Sequence, residues 1–86
     1  MSDLASKIQP PRTLRIPLRA DGSEFTLVIL HDGKAWSAAE RLKDLIGFYA
    51  DGQGGWIAAA QIQSGRWGYL NARGEWVIPP TLDSAR

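Results

Sequence analysis

Apolar and polar residues alternate along several short stretches of this chain, and a period of two is typical of β-strands. In residues 13–19, TLRIPLR, the apolar positions Leu14, Ile16 and Leu18 share one side, which is expected to be half-buried. Pro17 has no backbone N–H to donate, so this strand is expected at a sheet edge. The turn residues ADGS and the apolar run EFTLVILH complete a β-hairpin over residues 13–31, which HDGK closes with an Asp-Gly turn.

The densest β pattern lies in the carboxy-terminal half. The stretches WIAAAQIQ (56–63) and RWGYLN (66–71) flank Ser64-Gly65, a two-residue connection that is typical of hairpins. The segment NARGE predicts a second tight turn in which Gly74 takes a positive φ. The strand WVI follows, and Pro79-Pro80 is expected to end its pairing. Residues 50–55, ADGQGG, are too rich in glycine for a regular element and predict a loop.

Gly68 interrupts a strand that is otherwise rich in strand-forming residues. Strand alternation places Trp67 and Tyr69 on one face and Gly68 on the other. The missing side chain leaves a gap over the strand backbone, and an aromatic ring from a neighbouring strand is expected to cover it. Trp56 and Trp76 are the two candidates.

One helix is predicted between the two β regions. Ser37 and Glu40 have the spacing of a capping box, and residues 38–46, AAERLKDLI, include good helix formers. Leu42, Leu45 and Ile46 would form one apolar stripe, with Gly47 at the end and Trp36 as an anchor at the start. The predicted fold class is therefore mainly β, with short antiparallel hairpins of a β repeat and one short helix near 38–46.

Residues 48–86 resemble one unit of the bacterial WG repeat. Phe48, Asp51 and Gly52 look like the lead-in of a unit, although QGGWIAAA departs from the usual segment that follows. The positions that keep the residue type and spacing of the family pattern are Ala58, Ala59, Gly65, Arg66, Trp67, Gly68, Tyr69, Leu70, Asn71, Gly74, Val77, Ile78, Pro79, Pro80, Leu82, Asp83 and Ala85. The resemblance implies a non-enzymatic module that mediates protein–protein contacts in scaffold-like bacterial proteins.

The prolines at 10 and 11, the hairpin and helix patterns, and the resemblance together predict how the chain is organised. Residues 1–12 are expected to be a flexible leader, residues 13–47 an amino-terminal hairpin and short helix serving as a cap or degenerate repeat, and residues 48–86 the WG-type repeat. If RLKDLIGF instead corresponds to the link that follows each Pro-Pro in the family, the helix would be an irregular link. Because one repeat cannot close a core alone, we expect either a longer repeat protein or self-association.

Composition narrows the classes of function. The chain has no cysteine, so thiolate metal sites are excluded, and its formal net charge of +1 argues against a nucleic-acid binder. The first residues contain no apolar signal-peptide core, and the longest aliphatic run, residues 27–30, is far too short to cross a bilayer. The protein is therefore expected to be soluble and cytoplasmic, with no membrane partner.

No constellation of catalytic or metal-binding residues is evident. His31 is the only histidine, and the sequence places no nucleophile or second imidazole beside it. We therefore interpret it as an exposed histidine at the end of a strand. Asp51, Glu75 and Asp83 lie at turns, where carboxylates usually accept local hydrogen bonds. We therefore predict no enzyme activity, no cofactor and no metal.

Four tryptophans in 86 residues instead favour a contact function, since an indole suits half-buried surfaces and interfaces. The main hypothesis is binding to another protein, or to a copy of itself, through an exposed strand edge and aromatic anchors. A module that binds cell-wall glycan or a small ligand is an alternative, as is an inhibitor or immunity-type protein. The predicted interaction residues are Trp56, Trp67, Tyr69, Trp76, Arg66 and Arg73.

Overall fold

The computed structural model describes residues 10–38 and 40–84, and the regular elements there are all β-strands. They form two antiparallel sheets, one with the order β1-β2-β3 and one with the order β4-β5-β6-β7. The mainly β fold of short antiparallel hairpins is thus confirmed. The strands are β1 (Arg12–Pro17), β2 (Phe25–His31), β3 (Lys34–Ser37), β4 (Asp44–Ala50), β5 (Trp56–Gln61), β6 (Trp67–Asn71) and β7 (Trp76–Leu82).

The predicted helix near 38–46 is wrong. Ser37, its expected cap, belongs to β3, and β4 begins at Asp44. Leu45 is buried while Ile46 is 49% exposed, so these neighbours lie on opposite sides of an extended chain and do not share a helical stripe. A capping box and good helix formers contribute about 1 kcal/mol, which the pairing of this segment with both sheets outweighs. β4 also runs across residues 47 and 48, where the sequence suggested a boundary between two units.

The hairpin predicted over residues 13–31 is confirmed. β1 and β2 pair from Arg12 opposite Leu30 to Pro17 opposite Phe25, and β1 is an edge strand as its proline requires. The Asp-Gly turn after β2 has positive φ at both Asp32 (57°) and Gly33 (74°), which is the twist that a two-residue hairpin needs.

This turn leads directly into β3, an element that the sequence interpretation missed. Trp36 lies in β3 opposite Ile29 and therefore does not anchor a helix. The Asp-Gly signal was present in the sequence, and the four residues after it are long enough to pair with β2.

The carboxy-terminal hairpins confirm the predicted turns, but the last strand differs from the prediction at its two prolines. In the turn after β6, the N–H of Gly74 donates to the carbonyl of Asn71 (3.0 Å), and Gly74 has a φ of 78°. β7 does not stop at Pro79, because Leu82 still pairs with Trp67. The register of the pairing between β6 and β7 shifts between Trp67 and Leu70. An edge strand with such a bulge can accommodate proline residues, which lack a backbone N–H.

The core lies between the two sheets. Alternate residues of β2 and β5 point into it, and those of β5 are the small Ala58 and Ala60. Leu42, in the link between the sheets, is fully enclosed. The buried core residues are Phe25, Leu27, Ile29, Leu42, Leu45, Ala58, Ala60 and Leu70.

The two glycines of the WG-like segment have different roles. A side-chain carbon at Gly68 would lie 2.5 Å from the carbonyl oxygen of Ile78 and 2.7 Å from the ring of Trp76. Trp76 therefore covers the gap, as expected for one of the two candidate rings. A side-chain carbon at Gly74 would lie 2.7 Å from the carbonyl oxygen of Ser37, so this turn also presses against the chain that leaves β3.

Substitution of Gly68 should measure how closely the backbone of β7 and the ring of Trp76 pack over this glycine. We expect Gly68→Ala to lower the free energy of unfolding by about 1–3 kcal/mol, because backbone and an indole ring leave no room for the methyl group. Gly47→Ala is the matched control, since no described residue other than its two chain neighbours has an atom within 4 Å of the added carbon. Urea unfolding followed by circular dichroism gives both values, and an equal loss in the two variants would contradict close packing at Gly68.

Gly74 offers a second paired test, of the contact between its turn and β3. Gly22 and Gly74 have similar positive φ angles, but open space surrounds a carbon added at Gly22. Gly22→Ala should cost about 1 kcal/mol for its backbone conformation alone. Gly74→Ala should cost about 2–4 kcal/mol, because the methyl group also meets the backbone of Ser37 and Ala38. If urea unfolding gives the same loss for both variants, the turn does not press on that backbone.

Candidate interaction surfaces and a tryptophan-lined cleft

The four-stranded sheet carries an apolar surface on the side away from the core. Ile46 pairs with Ala59, Ala59 with Tyr69, and Tyr69 with Ile78, so one row of side chains crosses all four strands. Tyr49 is 51% exposed, and Ile46 and Ile78 are 49% and 39% exposed. We call this surface the aromatic outer face. Its members are Ile46, Tyr49, Ile57, Ala59, Trp67, Tyr69, Ile78 and Leu82.

The predicted aromatic anchors divide between the two sides of this sheet. Trp67 and Tyr69 belong to the aromatic outer face, in line with the alternation of the sequence. Trp56 and Trp76 lie on the core side, where Trp76 packs against the core cluster. The Nε1 atom of Trp76 is buried and has no hydrogen-bond partner in the described part of the chain. Its place in the fold is therefore structural.

The two predicted arginines have separate surroundings. Arg66 donates to the carbonyl of Thr81 (3.2 Å) and lies 3.5 Å from the carboxylate of Asp83, which ties its turn to the end of β7. The guanidinium of Arg73 lies 5.7 Å from the ring centre of Trp36, a cation–π distance. Arg73 thus connects a turn of the four-stranded sheet to a tryptophan of the other sheet.

The three-stranded sheet also has an exposed apolar side, which reverses one expectation. Leu14, Ile16 and Leu18 were expected to be half-buried, but they are 53%, 48% and 43% exposed. The opposite side of β1 faces the second sheet, because Arg15 lies 4.8 Å from the ring centre of Phe25 and donates to the carbonyl of Leu45 (3.0 Å). An arginine that covers an aromatic ring and bonds a carbonyl can occupy an inward position.

A cleft of about 340 Å³ opens between the β2–β3 turn and the β6–β7 turn. Trp36 of β3 and Trp56 of β5 both line it, so each sheet contributes one indole ring. His31 lies in the wall, and its Nε2 atom is buried without a hydrogen-bond partner among the described residues, in contrast to the exposed position expected from sequence. The main lining residues are His31, Lys34, Trp36, Trp56, Asn71 and Arg73.

The carboxylates that the sequence singled out have local partners. Asp51 accepts from the N–H groups of Gln53 (2.7 Å) and Gly55 (3.0 Å) and so holds its own loop, while Glu75 accepts from the side chain of Asn71 (3.0 Å). At Asp21, hydrogen bonding from Ser23 holds the pKa of the carboxyl below its ordinary value. Within residues 10–38 and 40–84, no group of three or more acidic or histidine side chains could hold a metal ion, and no helix could span a membrane.

Comparisons with protein-family models, with curated proteins and with solved structures return no match for this chain. The resemblance of residues 48–86 to the WG repeat therefore stays a prediction from the sequence.

The division of the tryptophans can be checked by their effect on stability. Trp76→Ala should lower the free energy of unfolding by about 3 kcal/mol, because it empties the space over Gly68 beside the core. Trp67→Ala, a truncation of the same size on the aromatic outer face, should cost about 1 kcal/mol. Urea unfolding of both variants measures the difference. A larger loss for Trp67→Ala would mean that Trp67, and not Trp76, is the ring that stabilises the fold, which would contradict the structure.

Proposed function

We propose that this chain is a non-enzymatic protein-interaction module, and that its aromatic outer face packs against the same face of a second copy. The observation that carries the proposal is the apolar row of Ile46, Ala59, Tyr69 and Ile78, which crosses the whole four-stranded sheet. Large apolar side chains that are exposed in a contiguous patch mark interaction surfaces in proteins. A copy of the chain supplies a surface of matching width and character.

The sheet face is a better contact route than the strand edges suggested by the sequence pattern. β7 contains Pro79 and Pro80, β1 contains Pro17, and the pairing of β4 is interrupted between Ile46 and Tyr49. Prolines and bulges at sheet edges are devices that prevent pairing with another chain. These edges are therefore poorly suited to adding a strand, while the flat face beside them is free of charged side chains along its central row.

The expected affinity is modest. Full burial of a large apolar side chain contributes about 1.5–3 kcal/mol, so each half-exposed residue of the face contributes about 1 kcal/mol. Association costs about 4–15 kcal/mol in lost translational and rotational freedom. This cost offsets much of the free energy that both copies gain by burying their apolar side chains. We therefore expect a dimer of micromolar affinity, with Tyr49, Trp67 and Tyr69 as the anchors.

Sedimentation equilibrium tests this proposal. At about 100 μM chain, where a micromolar dimer is nearly saturated, the mass should be twice the chain mass of 9.4 kDa. Ile46→Lys/Ile78→Lys should sediment as a monomer, because it places charge at both ends of the apolar row. Both positions are half-exposed, so the fold should be retained, as circular dichroism will verify.

Leu14→Lys/Ile16→Lys is the matched control, since it puts the same charges on the exposed side of the other sheet. This variant should remain a dimer. A wild-type mass of 9.4 kDa at about 100 μM, or dissociation by the control and not by Ile46→Lys/Ile78→Lys, would overturn the proposal.

A further inference from the structure

We infer that the cleft between the two sheets binds a small planar organic anion, meaning an aromatic ring that carries a carboxylate or a phosphate. This site is separate from the aromatic outer face, because Trp36 and Trp56 are on the core sides of their sheets. Its volume of about 340 Å³ lies within the range of small-ligand pockets.

The two indole rings supply the surface for a flat ring. Trp36 lies opposite the buried Ile29 in the three-stranded sheet, and Trp56 precedes the buried Ala58 by two positions in β5. Both tryptophans are therefore on the core sides of their sheets, and both are half-buried. Stacking on indole favours planar rings of any base or aromatic acid.

Charge selects an anionic ligand over a neutral one. Lys34 and Arg73 both line the cleft, and neither forms an ion pair with a carboxylate of the described residues. Among the described residues, Asp32 is the one acidic residue in the lining. A carboxylate or phosphate between the two cations would gain charge-assisted hydrogen bonds, which a neutral sugar cannot provide.

The turn after β6 holds Arg73 in position. The side-chain oxygen of Asn71 accepts from the backbone N–H of Arg73 (2.9 Å) and from that of Glu75 (3.0 Å). The carboxylate of Glu75 accepts from the Asn71 amide (3.0 Å) and is not part of the lining, so it does not neutralise the arginine. The guanidinium rests near Trp36 and is available to a ligand that stacks there.

His31 adds a polar atom that the fold leaves unused. Its Nε2 atom is enclosed by protein and makes no hydrogen bond within the described residues, which is uncommon for a buried nitrogen. The same side chain lines the cleft. If the ring turns its Nε2 atom toward the cleft, a ligand oxygen would supply the missing partner.

Nuclear magnetic resonance of the indole N–H groups tests the inference, with adenosine monophosphate and indole-3-acetate as probes. Trp36→Phe and Trp56→Phe assign the two resonances. Saturable shifts are expected at Trp36 and Trp56 but not at Trp67. Adenosine and indole-3-ethanol, which keep the rings and lack the anions, should bind about tenfold more weakly or worse. Saturation by either probe, with weaker binding of its neutral counterpart, supports the inference.

Lys34→Met/Arg73→Gln should weaken binding of the anionic probe by about tenfold or more, because it removes both cations of the cleft. Arg41→Gln/Lys43→Met is the matched control, since it removes two exposed cations outside the lining. No shift at millimolar probe would overturn the inference. Equal binding of the neutral counterparts, an equal loss in the control, or saturation by chitotriose in place of the anions would also overturn it.

Discussion

The fold depends on the short backbone bridge between Phe25 and Leu42, which joins the two sheets. The N–H of Phe25 donates to the carbonyl of Leu42 (3.0 Å), and the N–H of Leu42 donates back (2.9 Å). One residue later, Lys43 donates to Gln61 (2.7 Å) in the other sheet. Since a buried link must satisfy its backbone groups, pairing on both sides fixes it as an extended chain. Leu42 is then fully enclosed and completes a core to which both sheets contribute.

Two glycines allow close contacts elsewhere in the fold. Gly68 admits the ring of Trp76 over β6, and Gly74 admits the backbone of Ser37 against the β6–β7 turn. That turn carries Arg73, so the position of one cation in the cleft depends on the same close approach. The geometry of the cleft is therefore a consequence of packing between the sheets, although none of its charged residues is buried.

Short-range signals in the sequence were sufficient for the β1–β2 hairpin, for the hairpins of β5, β6 and β7, and for the two glycine roles, but not for β3 or β4. The Asp-Gly turn, the positive φ of Gly74 and the shared face of Trp67 and Tyr69 each follow from residues a few positions apart. The helix near 38–46 failed because its local preference competes with pairing to Phe25 and Gln61, which are distant in sequence. The cleft was out of reach for the same reason, since the cation–π contact between Trp36 and Arg73 joins the two halves of the chain.

The reversal at β1 explains why alternation alone could not identify the inner side of a sheet. Alternation shows that Leu14 and Ile16 share a side, but the side that faces the core is decided by what the opposite sheet offers. Here it offers the carbonyl of Leu45 and the carboxylate of Asp44, 3.7 Å from Arg15, and the arginine turns inward. The leucine and isoleucine are then left outside. With the aromatic outer face on the other sheet, the two-layer fold has apolar side chains exposed on both outer surfaces. Exposed apolar side chains in contiguous patches are typical of interaction surfaces, and this is the physical basis of the proposed contact with a second copy.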